Sequence, residues 1–209
     1  MSQSITNKLQ TAFCRDKLEY ALFYNWDWGL RFELNTSSSY IEMFTSAFDR
    51  SRELLEYTFS ETSVTYLLIR FRSCAENNSK QPKEMRRLKR CGFILPEHYL
   101  SERSSYLYDK GTEDEFLEYH HEYLFPVKIN SGNSLAVLWA VCSSDLGIQP
   151  SAKLDCYFID FDRQLVAHPY DDRGMDIVAM NRQSLTFLYK DYYHYLLEYD
   201  LKRMQTKFG

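Results

Sequence analysis

The chain has 209 residues, 44% hydrophobic and 26% charged, with a formal net charge of -4. That length supports one sizeable core and is short for two independent ones. The acidic balance argues against general nucleic-acid binding, which calls for a net basic face.

Residues 1–10 are polar and lack the basic start and apolar run of a signal peptide. Residues 4–14 read as a short helix, with Ile5, Leu9, Ala12 and Phe13 near helical spacing. Residues 20–34 are aromatic and end in Leu30-Arg31-Phe32-Glu33-Leu34, whose period-two alternation predicts a strand. After a polar loop, a serine ahead of Tyr40 is placed to cap an amphipathic helix over residues 40–59. Its apolar stripe is Ile41, Phe44, Phe48, Leu55 and Phe59.

Residues 64–71 are rich in β-branched and aromatic side chains and predict a second strand. Residues 82–91 predict a short helix, started by Pro82 and stopped by Gly92. Residues 97–122 hold eight Asp or Glu against two Lys or Arg. Within them, residues 113–119 read as helical and residues 123–129 as extended. The apolar run 135–142, the longest in the chain, predicts a buried strand and falls far short of the roughly 18 residues of a membrane helix.

Residues 154–161, 164–168 and 175–180 then read as three short strands joined by tight connections, which makes an antiparallel meander the natural topology. Asn181 is placed to cap a long last helix over residues 182–204, with Leu185, Leu188, Tyr189, Tyr192, Leu196 and Tyr199 as its stripe. No internal repeat or linker divides the sequence. The expectation is one α+β domain over residues 1–209: a mainly antiparallel sheet whose C-terminal meander packs on a long C-terminal helix and an N-terminal helix.

The most concentrated chemistry lies between the last two strands, in Asp171-Asp172-Arg173-Gly174-Met175-Asp176. Three close carboxylates and an arginine suit a structured turn, with aspartates accepting backbone N–H bonds and glycine supplying φ > 0. A partner-binding loop is the next reading. A hydrolytic or metal-dependent site built on Asp171, Asp172 and Asp176 is the catalytic alternative. His168 stands near this tract, in the range where a histidine titrates near neutrality.

His120 and His121 are adjacent, outside any H-E-x-x-H pattern, and project in different directions. His98 and His194 belong to no constellation. Lys83, Arg86, Arg87 and Arg90 would share a helix face, a solvated surface or a contact for a phosphate backbone or an acidic protein. The acidic stretch that follows could neutralise them.

Cys14, Cys74, Cys91, Cys142 and Cys156 form no C-x-x-C pair. They read as reduced thiols of a cytoplasmic protein. No phosphate-cradling glycine loop and no G-x-S-x-G elbow is present. No cofactor and no metal is expected. The 17 tyrosines and 14 phenylalanines point to amphipathic packing, with tyrosine also the residue type enriched at protein interfaces.

Several tracts carry a resemblance. They are Ser144-Asp145-Leu146-Gly147, Tyr157-Phe158-Ile159-Asp160, the run from Tyr170 to Asp176, Leu188-Tyr189-Lys190-Asp191-Tyr192 and Leu197-Glu198-Tyr199-Asp200. Over residues 143–204 the chain resembles a bacterial family called domain of unknown function 3885. Residues 26–34 look like that family's opening strand. Tyr195 or a neighbour stands where members commonly carry tryptophan.

The resemblance implies a small bacterial cytosolic protein, similar in size and acidity to immunity proteins encoded beside secreted toxins. It supplies no catalytic residues. The function expected is a non-catalytic binding protein that neutralises a cognate toxin domain, such as a basic nuclease, with no role at a membrane or on nucleic acid. Glu113, Asp114, Glu115, Glu118 and Glu122 are the first candidates for that contact, and Asp171, Asp172 and Asp176 the second.

Overall fold

The computed structural model describes residues 4–73, 83–108 and 116–209. The N-terminal helix α1 (Ile5–Phe13) starts where the Ser4 hydroxyl accepts the Asn7 amide at 3.0 Å, and it buries Ile5, Leu9 and Phe13. A short α2 (Leu22–Asn25) leads into β1 (Trp28–Glu33), followed by α3 (Tyr40–Thr58), β2 (Thr65–Ser73) and α4 (Lys83–Arg90). Then come β3 (Leu100–Tyr108), β4 (Phe116–Val127), α5 (Gly132–Ser143) and the meander β5 (Asp155–Asp160), β6 (Leu165–Pro169) and β7 (Gly174–Ala179). Helices α6 (Gln183–Asp191) and α7 (Leu201–Phe208) complete the chain.

The described strands form one seven-stranded sheet in the order β1-β7-β6-β5-β2-β4-β3, every pair antiparallel. The architecture is α+β. Successive residues of a strand point to opposite faces, and β2 shows the division. Leu67, Ile69 and Phe71 enter the larger core with Leu54 and Leu55 of α3 and Val137 and Leu138 of α5. Leu68 enters a smaller core with Ile5, Leu9 and Phe13 of α1. Among the described residues no helix is long and apolar enough to cross a membrane.

Four elements differ from the sequence reading. The run 135–142 is not a strand but the middle of α5, with Ala136, Val137, Leu138, Ala140, Val141 and Cys142 all buried. A short apolar run fits a buried helix as well as a buried strand, because burial on several sides erases the periodicity that separates them. Residues 116–119 are not helical. They open β4, paired with β3 throughout and at Tyr119 with β2 as well, and residues 113–115 lie outside the described residues.

The buried stripe of α3 is Ala47, Ser51, Leu54, Leu55 and Thr58, and Ile41 is 75% exposed. The small Ala47 and Ser51 allow the close packing of α3 on α5, a face that hydrophobicity alone does not select.

The long last helix is broken. After α6, two 3-10 turns (Tyr193–Tyr195 and Glu198–Asp200) flank an extended Leu196-Leu197. Leu196 bridges Phe32, and the Leu197 amide donates to the Arg31 carbonyl at 2.9 Å. The break lets the chain pair with β1 at the edge of the sheet.

Leu138 is 1% exposed within the larger core. Leu138→Ala is expected to cost about 2–5 kcal/mol, read by urea denaturation. A change under about 0.5 kcal/mol would show that α5 is not packed as described.

Candidate functional site

The smaller-core face of the sheet is apolar at the α1 end and charged towards the other end. Register alone assembles the charges. Arg31 of β1 lies beside Asp176 of β7, Asp176 beside His168 of β6, Arg70 of β2 beside Asp155 of β5 and Glu122 of β4, and Arg72 beside His120. The result is a belt of ionisable side chains across the strands. Arg70, Glu118, His120, Glu122, Asp155, His168 and Asp176 are each less than a tenth exposed.

Each charge in the belt has a local answer, as burial demands. Arg70 donates from Nε to Glu122 at 2.8 Å and from Nη1 to the Leu18 carbonyl at 2.7 Å and the Tyr157 hydroxyl at 3.1 Å. Arg72 donates from Nε and Nη2 to Asp155 Oδ2 at 2.8 and 2.7 Å. Glu118 lies 3.0 Å from His120 Nε2. Arg31 grips both oxygens of Asp176 at 2.8 and 3.3 Å, and the Phe23 amide donates to Asp176 Oδ2 at 3.0 Å.

A strap of chain, residues 15–25, lies over this belt. It supplies the Leu18 carbonyl, the Phe23 amide and the ring of Tyr20, which packs edge-on against His168 at 5.4 Å between centroids.

The predicted site residues scatter within this arrangement. Glu113, Asp114 and Glu115 lie outside the described residues. Glu118 and Glu122 do not form an exposed acidic face. At 8% and 5% exposure they are the internal counter-charges of Arg72 and Arg70, because alternate residues of β4 point into the belt.

The three aspartates of the 171–176 tract do not converge. Asp171 accepts the Arg173 amide at 2.7 Å and pairs with the Arg173 guanidinium. Asp172 accepts from Asn35 Nδ2 at 3.1 Å, and burial with the nearby Asp171 pushes its carboxyl above the usual range. Asp176 belongs to Arg31. Among the described residues no group of three His, Cys, Asp or Glu side chains is arranged to hold a metal ion.

Gly174 also has a different reason from the one its turn suggested. The described glycines with positive φ are Gly92 and Gly147. At Gly174 a Cβ would overlap the phenol oxygen of Tyr170, whose ring folds across this position. In α4, Glu84 bonds Arg87 at 2.6 Å, so this basic residue has an acidic partner within its own helix.

The belt has one open end, a cleft of about 490 Å³ lined by Tyr20, Arg72, Asp155 and Tyr170, with Glu84, Asp145 and Lys153 among the residues at its margin. Sequence reasoning found Tyr170 and passed over Tyr20, Arg72 and Asp155. The available signal was arginine at positions 70 and 72 inside an otherwise apolar strand, a charge spacing that puts both on one face.

Three outcomes test this geometry. Asp176→Ala leaves the Arg31 guanidinium and the Phe23 amide without their acceptor and is expected to cost about 3–5 kcal/mol by urea denaturation. Gly174→Ala is expected to cost about 1–3 kcal/mol, with Tyr170 displaced.

The third concerns pH. Burial holds His168, His120 and His121 below the ordinary histidine value, and His168 also faces Asp155, Asp176 and Arg70. The unfolded chain then binds more protons than the folded one below about pH 6.5. Stability is therefore present in full above that value and falls as pH drops, by up to about 1.4 kcal/mol per pH unit for each such group. Urea midpoints between pH 7.5 and 5.5 that do not move would refute the buried-neutral assignment, and His168→Gln should flatten the slope.

Comparison with curated proteins and with solved structures gives no match. A family model described as domain of unknown function (DUF3885) matches residues 5–200. The match takes in α1, the strap, the whole sheet and α6, well beyond the C-terminal tracts that first suggested it. The chain belongs to that family.

Proposed function

We propose that this protein is a non-catalytic binding module whose partner docks on a strip of stacked tyrosines and arginines beside the belt. The observation that carries the reading is the strip itself. The Arg31 guanidinium lies 4.6 Å from the Tyr24 ring centre and 5.6 Å from that of Tyr170, Arg203 lies 5.4 Å from Tyr24, and Tyr20 lies 6.0 Å from Tyr170. The Tyr24 hydroxyl donates to Asp200 at 3.0 Å, and the neighbouring Tyr199 is 86% exposed.

Tyrosine and arginine dominate binding hot spots because each gives a large contact area and a directed hydrogen bond. Here the cations and carboxylates beneath hold several of the rings in place before any partner arrives, which lowers the entropy lost on association. The commitment of Asp171, Asp172 and Asp176 to three separate structural partners also favours binding over acid–base chemistry on that tract.

For the partner we propose a toxin domain, neutralised in the bacterial cytoplasm as immunity proteins do. Support comes from the acidic balance of the chain, its tyrosine content and its likeness in size to such proteins. Co-expression with the secreted toxin that this reading places beside its gene is the test. Protection of the host and co-purification are expected, with Tyr24→Ala and Tyr199→Ala each weakening the complex by about ten-fold or more. A toxin that neither binds nor is neutralised would overturn it.

A further inference from the structure

Helix α4 lies outside both the belt and the strip. Its eight residues set five cations, Lys83, Arg86, Arg87, Lys89 and Arg90, against the single carboxylate of Glu84. That carboxylate is consumed internally. Its Oε1 accepts from Arg87 at 2.6 Å and its Oε2 from the Lys153 amide at 2.9 Å, and the side chain is 19% exposed. The other four cations are exposed. Among the described residues none of the four forms an ion pair with a carboxylate.

The apolar side of the helix is already covered. Met85 and Leu88 are fully buried in the larger core, which leaves the cations facing outward, with Lys83, Arg86 and Arg90 in line at steps of three and four. At the rise of a helix that line is about 10 Å long. Cations in the last turn complement the carbonyl end of a helix, but Lys83 stands in the first turn, where the dipole opposes it. Local helix stability therefore does not account for the whole face.

An apolar knob stands at the end of this row. The Cys91 and Gly92 amides donate back to the Leu88 and Lys89 carbonyls at 2.9 and 3.1 Å, Phe93 turns into the core, and Ile94 follows with 75% exposure. The backbone of Ile94 is fixed from both sides. Its amide donates to Asn133 Oδ1 and its carbonyl accepts from Asn133 Nδ2, each at 2.8 Å. A rigid, exposed isoleucine next to unpaired cations combines an apolar anchor with a charged rim.

We propose that this face docks a short acidic segment of a partner protein, with carboxylates on Lys83, Arg86, Lys89 and Arg90 and one apolar side chain on Ile94. A phosphate backbone would match the cations but offer Ile94 nothing apolar, and α4 presents no exposed ring on which a base could stack. A long polyanion would also run off this short row onto a chain whose net charge is -4. A short segment stays within the row.

The probe is a fluorescein-labelled peptide of about a dozen residues, glutamate and leucine in the order of an amphipathic helix, titrated into the full chain and followed by fluorescence anisotropy. Its glutamine counterpart and an oligonucleotide of similar charge, single-stranded and duplex, run alongside. A Kd of about 10–100 µM is expected for the acidic peptide at low salt, weakened several-fold by about 0.3 M NaCl. Arg86→Glu combined with Lys89→Glu should weaken it about ten-fold or more, the milder Arg86→Gln with Lys89→Gln about three-fold, and Ile94→Ser about five-fold. All these side chains are exposed, and a circular dichroism spectrum like the parent's is checked first. Lys202→Glu, a cation on another helix, and Tyr24→Ala, on the strip, should leave the peptide bound as before.

An acidic peptide that does not bind, a glutamine peptide that binds equally, or Ile94→Ser titrating like the parent would each overturn the proposal. Equal loss from Lys202→Glu would reduce the effect to a diffuse field and overturn it too. An oligonucleotide bound more tightly than the peptide would replace the protein segment with a phosphate backbone. Loss of the peptide only through α4 and Ile94, with Tyr24→Ala unaffected, separates this surface from the strip.

Discussion

Burying the guanidinium of Arg70 sets a condition that one whole face of the sheet meets. A guanidinium keeps its charge at any working pH and carries five donors in a fixed fork. At 2% exposure those donors depend on protein acceptors. Glu122 arrives from β4, the Tyr157 phenol from β5 and the Leu18 carbonyl from the strap. The strap is thus tied to the middle of the sheet by a charge that cannot be neutralised, and Tyr20 is positioned two residues beyond the knot. Replacing Arg70 with an apolar residue would leave Glu122 buried without its cation, so the tie is as hard to remove as it was to form.

The strip and the cleft both inherit their order from this framework. Arg31 is fixed by Asp176 and in turn carries Tyr24 and Tyr170. Arg72 is fixed by Asp155 and lies 5.4 Å from the Tyr20 ring centre. Charges that stabilise little on their own, once desolvation is counted, here set the orientation of aromatic rings at the surface. The ion pairs act on recognition through geometry rather than through net attraction.

The strands of the meander were legible because each is short, β-rich and bounded by turn residues, and because three strands with tight joins leave one simple topology. Helix α3 was legible in extent but not in face, since Ala47 and Ser51 are buried for their small size rather than for hydrophobicity. Helix α5 was read as a strand because a segment covered on several sides shows no polar stripe. The candidate site was only half visible. Tyr170 and the aspartates around it stand together in sequence, and local crowding drew attention to them. Arg72 and Asp155 become neighbours only through the pairing of β2 with β5, which is a matter of register and not of local pattern. Glu118 and Glu122 show the reverse: a run of acids suggested an exposed face, while alternation along β4 turned these two inward.

The sheet order has a consequence for how the molecule is made. β1 sits beside β7, so Arg31 finds its carboxylate 145 residues further along the chain. During synthesis the strap can reach Arg70 of β2 early, but β1 has no partner strand until the end of the meander has left the ribosome, and contacts of such long range are slow to form. The edge strand can therefore pair only once β7 has been made, and the surface it carries together with the strap is complete only when almost the whole chain has been translated.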